Sequence, residues 1–353
     1  MDNFVCGINP ARVIFGTGAL SHLGGEASRL GIQRALIVTT SSQRHAEQAV
    51  SLLGCRAAGT FTGAKMHTPL RITDTALAAL IDCDADGIVA IGGGAAIGLS
   101  KALALRTDLP QIVIPTTYSG SEMTAILGET DDGKKVTQTS SRILPEVVIY
   151  DVELTLSFPA LLAGTSGLNA IAHAVEALYA RDRNPVVDLL AVEGISALAK
   201  ALPRIVEHPQ DHDARALALY GAFLCGTCLG AVGMALHHKL CHTLGGLFDL
   251  PHAPTHAAVL PHAVAYNAPA VPQAMAKIAA ALATRDAAIG LYDLAGAVGA
   301  IRTLADLGMP ADRLSEVVCL ALQNPYWNPR PLEPQGIRFL LEHALAGRPP
   351  QPD

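Results

Sequence analysis

The chain has 353 residues, 50% of them hydrophobic and 16% charged, with a net charge of -6. That profile describes a compact acidic protein of about two domains and excludes a disordered chain. Basic residues are too sparse to neutralise a phosphate backbone, even where Lys134 adjoins Lys135, so no nucleic-acid partner is expected.

Short β-branched runs open the chain and alternate with helical spacing. Strands are predicted at 35–39, 87–91, 111–114 and 147–150, with helices at 43–53, 72–82 and 97–105 between them. This alternation implies βαβ units and a parallel sheet covered on both faces, an α/β nucleotide-binding domain over residues 1–157. After Pro159 the strand signal ends, and helical runs over 159–179, 186–205 and 215–247 and onwards predict an all-helical domain at 158–353. The boundary is placed near 151–159, and ligands are expected in the cleft between the two domains. The uncharged run 216–236 is long enough to span a bilayer. Its glycines, Gly221, Gly226, Gly230 and Gly233, suit close packing, and His237, His238 and Lys239 follow directly, so it reads as a buried central helix with no membrane partner. Cys225 and Cys228 within it read as a buried thiol pair. The proline-rich tail, 324–353, is expected to wrap the surface or line the cleft and to form no third domain.

The N-terminal Met1-Asp2-Asn3 lacks the basic and apolar blocks of a signal peptide. The seven cysteines, scattered from Cys6 to Cys319, suit reduced thiols better than a disulfide framework. A cytoplasmic protein is expected.

Two loops carry the signature of a phosphate site. The strand at 87–91 runs into Gly92, Gly93 and Gly94 and then a helical pattern from Ala95, which places open backbone N–H groups and a positive helix end against a phosphate. Ile97 stands where the third glycine of GxGxxG would be, so this is a variant of that turn. The next strand leads into Pro115-Thr116-Thr117-Tyr118-Ser119-Gly120-Ser121-Glu122, whose hydroxyls can bond a nucleotide or substrate; Ser119 or Ser121 could also cap a following helix. Two such loops on adjacent strand ends predict a dinucleotide site.

A second site is predicted in the helical part. Asn169 with His173, and His238 with His242, are four apart and share helix faces, and His252 follows. Six of the thirteen histidines lie between His237 and His262. Imidazoles bind iron or zinc well, but a three-histidine site gains from one carboxylate, and Asn169 offers only a neutral amide. The pattern is that of a catalytic metal site with one ligand missing.

With these residues, and with Arg142-Ile143-Leu144-Pro145 and Asn324-Pro325-Tyr326-Trp327-Asn328-Pro329-Arg330-Pro331, the chain resembles the iron-containing alcohol dehydrogenase superfamily over nearly its whole length. That fold is shared with dehydroquinate synthase. Within the superfamily the likeness is greatest to the maleylacetate reductase branch. The resemblance implies that His173, His238 and His252 occupy the family's metal-histidine positions and Asn169 that of its aspartate. Ala95 and Gly98 stand where many alcohol dehydrogenases have serine and aspartate, and Thr40 where many relatives have an aspartate on the adenosine ribose. Loss of that charge implies use of NADH, NADPH or both.

The implied reaction is reduction of maleylacetate, a dicarboxylate, to 3-oxoadipate in aromatic-compound breakdown. Its site must stabilise an enolate and donate a proton. The catalytic candidates are the group His238, His242 and His252, with His173 and Asn169 beside it, acting without a required divalent metal. Tyr118, Tyr326 and Arg330 are candidates for substrate binding. Thr40, Gly92, Gly93, Gly94, Ala95, Thr116, Thr117, Ser119 and Lys135 are candidates for the cofactor. A homodimer is expected. The rival readings are a metal-dependent alcohol or glycerol dehydrogenase of the same fold and a non-catalytic nucleotide-binding or metal-sensing protein.

Overall fold

The computed structural model describes residues 4–7, 12–131 and 134–351. Contacts within the chain divide it into two units, Ile8–Phe158 and Pro159–Asp353, the latter taking in Met1–Gly7.

In the first unit β1 (Arg12–Gly16) precedes α1 (Leu23–Arg29), β2 (Ala35–Val38), α2 (Ala46–Leu53), β3 (Ala57–Phe61), α3 (Leu70–Asp82), β4 (Gly87–Gly92), α4 (Gly94–Thr107) and β5 (Gln111–Pro115). A hairpin of β6 (Ile126–Asp131) and β7 (Lys134–Thr139) intervenes before β8 (Val147–Asp151) and the short α5 (Val152–Thr155). Six strands form one parallel sheet in the order β1-β8-β5-β4-β2-β3. The four inner strands are buried along nearly their whole length, as a sheet clothed on both faces requires. Alternate residues serve opposite cores. Leu36, Ile88 and Val113 pack with Ala76 and Leu80 of α3 and Leu99 and Leu103 of α4, while Ile37, Val89, Ile112 and Ile149 pack with Leu23 of α1 and Leu53 of α2.

The second unit contains α6 (Ala160–Ala177), α7 (Pro185–Glu207), α8 (His212–Ala231), α9 (Leu236–Phe248), α10 (His252–Asn267), α11 (Pro272–Ala281), α12 (Ala287–Ala297), α13 (Leu314–Leu322) and α14 (Pro334–Ala346), with no strand among its described residues. Asn184 caps α7 through Val187 N and Asp211 caps α8 through Ala214 N. Helices α7 and α8 approach closely through glycine. A Cβ on Gly194 would lie 2.8 Å from Cys225 Sγ, and one on Gly221 would lie 2.8 Å from Leu198 Cγ. By length and composition α8 could cross a membrane; its packing against α6 and α7 leaves most of it buried. Burial pushes the Cys228 thiol up to about 12 and raises Cys225 well above the usual thiol range, which makes both poor nucleophiles.

Two expectations need correction. The run 215–247 is not one helix: α8 ends at Ala231 and α9 begins at Leu236. The break is held by acceptors from elsewhere, with Gly233 N donating to Asp182 and Ala235 N to Glu176. The tail does more than wrap the surface, because Ile337, Leu340, Leu341 and Ala344 of α14 belong to the helical core with Leu240, Leu244 and Val259.

Candidate active site

The glycine turn is built by β4 and α4. Gly92 has φ +147°, a conformation side chains rarely adopt, and Thr116 N donates to its carbonyl at 3.0 Å. Gly93 caps α4 with no side chain closing the helix start and no acidic residue in the first turn, so the N–H groups of that turn are open to an anion. Parallel pairing of β4 with β5 sets the second loop alongside. A Cβ on Gly93 would meet Thr117 Cγ2 at 2.9 Å, and one on Gly94 would meet Ser119 Cβ at 3.9 Å. Ala95, Thr116, Thr117 and Ser119 thus gather with the three glycines. Gly98 is also fixed by its surroundings, since a Cβ there would lie 2.5 Å from Thr68 Oγ1 and leave no room for an aspartate. Neither Ser119 nor Ser121 caps the helical turn at Ser121–Met123; Gly120, at φ +74°, begins it without a side-chain bond.

Thr40 lies just beyond β2, partly exposed and bonded to Ser42 Oγ at 3.0 Å. Tyr118 is completely buried, its ring edge-on to Phe158 at 5.6 Å. Lys135 lies in β7, and its side chain falls outside the described residues.

In the helical unit, Asn169, His173 and Glu176 project from one side of α6, all buried. Helix α9 presents His238 to them, its ring stacked on His173 with centroids 5.1 Å apart. His242 follows at 6.1 Å from His238, and His252 at the start of α10 lies 4.4 Å from His256. The cluster has a buried floor of His173, His237, His238 and His256, while His242 and His252 are exposed.

Glu176 organises this floor. Its carboxylate accepts three hydrogen bonds of 2.7 Å, from Ala235 N, His237 N and His238 Nδ1. A carboxylate cannot donate, so His238 carries a hydrogen on Nδ1 and turns Nε2 towards the cluster. Behind it His237 and His256 share a hydrogen bond of 2.9 Å. Burial, reinforced by the neighbouring imidazoles, drives His173, His237 and His256 well below the usual histidine range, so all three stay neutral. Asn169 Oδ1, His173 Nδ1 and His238 Nε2 are buried without a hydrogen-bond partner, three polar atoms of one cluster that call for a ligand.

At the rim His242 Nδ1 lies 2.9 Å from the hydroxyl of Tyr326. Lys239, His242, Thr243, Gln323 and Tyr326 line an open cleft of about 370 Å³. Arg330 is engaged with the protein: it donates to Tyr266 O at 2.9 Å and its guanidinium lies 4.3 Å over the Tyr266 ring. With Asn328, which exchanges hydrogen bonds with Asn267, it fastens the segment that carries Tyr326. Sequence reasoning overlooked Glu176 and His256. The signal for Glu176 was its position, seven after Asn169 and three after His173, on the same helix face.

Family models match both units: the iron-containing alcohol dehydrogenase model covers residues 10–152 and the Fe-containing alcohol dehydrogenase C-terminal model covers 163–345. A maleylacetate reductase of Rhizobium sp. (strain MTP-10005) is 54% identical over 99% of this chain and all of its own. Another, from Sphingobium indicum, is 54% identical over 97% of each chain. The crystal structure of maleylacetate reductase from Agrobacterium tumefaciens superposes with a TM-score of 0.96 at 54% identity, covering 99% of this chain and 100% of that one.

Proposed function

The chain belongs to the iron-containing alcohol dehydrogenase family, and we propose that within it the chain works as a maleylacetate reductase, using NADH or NADPH to make 3-oxoadipate. The observation that carries this reading is the full-length likeness to enzymes of that activity. The glycine turn and the Thr116–Ser119 segment support a bound dinucleotide, and Thr40, in place of an acidic residue, leaves room for a 2'-phosphate.

The family name implies iron, and the donor set of the cluster bears on that. Asn169 Oδ1 and His238 Nε2 are buried without a partner, and burial keeps His173 unprotonated. None of these groups can supply negative charge, and Glu176 is already occupied by three N–H donors. Iron sites of histidine and oxygen ligands lean on a carboxylate. These residues do not fit a tightly held iron, and no step below passes through a metal.

A nicotinamide cofactor held by the glycine turn and the Thr116–Ser119 segment would supply hydride to the carbon β to the ketone; the double-bond electrons would then rest on the ketone oxygen as an enolate, and the site must deliver a proton to the α carbon. The enolate needs a hydrogen-bond donor. His238 is tied through Nδ1 to Glu176, so the role falls to His242, which stands exposed at the rim beside Tyr326. When its Nδ1 accepts from Tyr326, its Nε2 carries the hydrogen, and the half-exposed tyrosine can resupply a proton from solvent. The amide of Asn169 keeps negative charge away from a substrate with two carboxylates. A carboxylate there would cost on the order of a few kcal/mol in repulsion at a partly buried site.

The test follows NADH absorbance with maleylacetate before and after exhaustive chelation. Turnover should persist in chelator, and Asn169→Asp should bind metal more tightly and maleylacetate more weakly. Stoichiometric iron or zinc, with activity lost on chelation and restored by metal, would overturn the metal-free chemistry. Absence of NADH oxidation would overturn the reductase reading, and chelator-sensitive activity on alcohols would favour an alcohol dehydrogenase.

A further inference from the structure

The polar loop after β5 is strung between two buried groups that the reaction above does not use. Lys101 lies on α4 two turns beyond the glycines and is completely buried. Its amino group donates to Ser121 O, to Thr124 Oγ1 at 2.9 Å and to Ile126 O at 3.0 Å. Thr124 sends its own hydroxyl hydrogen to Ser121 O, so all three partners are acceptors. Only an ammonium brings three hydrogens to such a cage. Burial draws Lys101 down to about 7 and Glu122 opposes that pull. Three acceptors around one amino group, with Glu122 nearby, suit the charged form best.

Glu122 sits on the other side of the loop and is also completely buried. It accepts from Tyr150 Oη at 2.9 Å, on β8, and from Ser119 Oγ at 3.4 Å. Burial raises its carboxyl while these hydrogen bonds and the Lys101 charge act the other way. Charges taken from water are costly to bury, and apolar residues would fill the same volume at less cost. What the two groups accomplish is local: the ammonium fixes the backbone at Ser121 and Ile126, and the carboxylate reaches Ser119, next to the contact of Thr117 with Gly93.

We infer that Lys101 and Glu122 form a buried brace that sets the loop 116–126 against the glycine turn, making both of them positioning residues for the pyrophosphate of the dinucleotide. The inference rests on the cofactor reading given above. The brace makes no demand on the histidine cluster, so its loss should be felt in cofactor affinity and not in the chemical step.

Lys101→Met in the full-length protein is the test. A fluorescence titration should give an NADH Kd raised about tenfold or more, the loss of one well-placed contact's free energy. Amide exchange across 116–126 should quicken, while kcat at saturating NADH and KM for maleylacetate stay within about twofold. A merely structural role would lower kcat together with the folded fraction. An unchanged Kd in folded Lys101→Met overturns the inference. Should that variant not fold, Glu122→Gln keeps the volume and removes the charge; its Kd should rise by about threefold or more, and an unchanged value overturns the brace. Failure of the unmodified protein to bind NADH would sink the cofactor reading instead. Exchange at 116–126 would then decide the brace alone, quickened exchange upholding it and unchanged exchange ending it.

Discussion

Glu176→Gln tests the joint from which His238 hangs. Two of the three 2.7 Å hydrogen bonds, those from Ala235 N and His238 Nδ1, end on Oε2, and that from His237 N ends on Oε1. Hydrogen bonds to a charged acceptor contribute roughly 1.5–3 kcal/mol each and neutral ones about 1, so removing the charge weakens the set by about 2 kcal/mol or more. Glutamine adds a second fault. Its oxygen serves best in the Oε2 position, which turns its NH2 towards His237 N and leaves that buried N–H facing a donor, a further ~1–3 kcal/mol. The sum, about 3–5 kcal/mol, should lower the melting temperature of a helical unit this size by roughly 6–20 °C. Thermal unfolding by circular dichroism measures that shift. Nitrogen-15 NMR of the histidine rings reports whether His238 still carries its hydrogen on Nδ1. Activity should fall further than the folded fraction. A melting temperature within about 2 °C of the parent, with the His238 ring unaltered, would refute the assignment of Glu176 as the joint.

At the glycine turn, Gly93→Val forces a side chain to within 2.9 Å of Thr117 Cγ2 and into the phosphate's space, so NADH affinity should drop by about tenfold or more in a folded protein. An unaltered titration would remove this turn from the cofactor site. Thr40→Asp should depress turnover with NADPH while sparing NADH, and equal loss with both would place Thr40 away from the ribose. His262 is held down to about 4, by burial and then by nearby His343, against an ordinary 6.5. Its contribution to stability is therefore present above pH 6.5 and is lost as pH falls towards 4, by up to about 3 kcal/mol. His262→Gln should flatten the melting-temperature profile over that window; a profile as steep as the parent's would assign the acid limb to other groups.

Four strands were legible because burial on both faces writes an apolar run: 35–38, 87–92, 111–115 and 147–151 contain little else. The edges were not. β1, Arg-Val-Ile-Phe-Gly, has no buried residue and only three apolar ones in a row, β3 is Ala-Ala-Gly-Thr-Phe, and β7 is polar, so none of them carries a run as strong as the inner strands. The break before α9 was hidden for another reason. Residues 232–235 contain no charge and no proline, and what stops the helix is a pair of carboxylates, Asp182 and Glu176, distant in sequence. In the site, spacing brought Asn169, His173 and the α9 histidines together correctly, but it could not tell which rings would be buried. Burial separates neutral His173 from exposed His242, and it depends on how α6, α9 and α10 pack. Lys101 left a fainter trace, a single cation in a helix otherwise uncharged from Ala95 to Leu105.

The strand order sets where this molecule can change length. β2 has β3 on one flank and β4 on the other. The chain leaves β2 for one edge and leaves β4 for the opposite one, with α2 on one face of the sheet and α4 on the other. The two departing connections therefore diverge and open a notch, with Thr40 on one lip and the glycines on the other. Insertions beside that notch alter the shape of its mouth. Loops at the amino ends of the strands, or beyond β3 at the outer edge, can lengthen without reaching it. Tolerance to insertion in this sheet is thus polarised, low at one corner and high around the remaining rim.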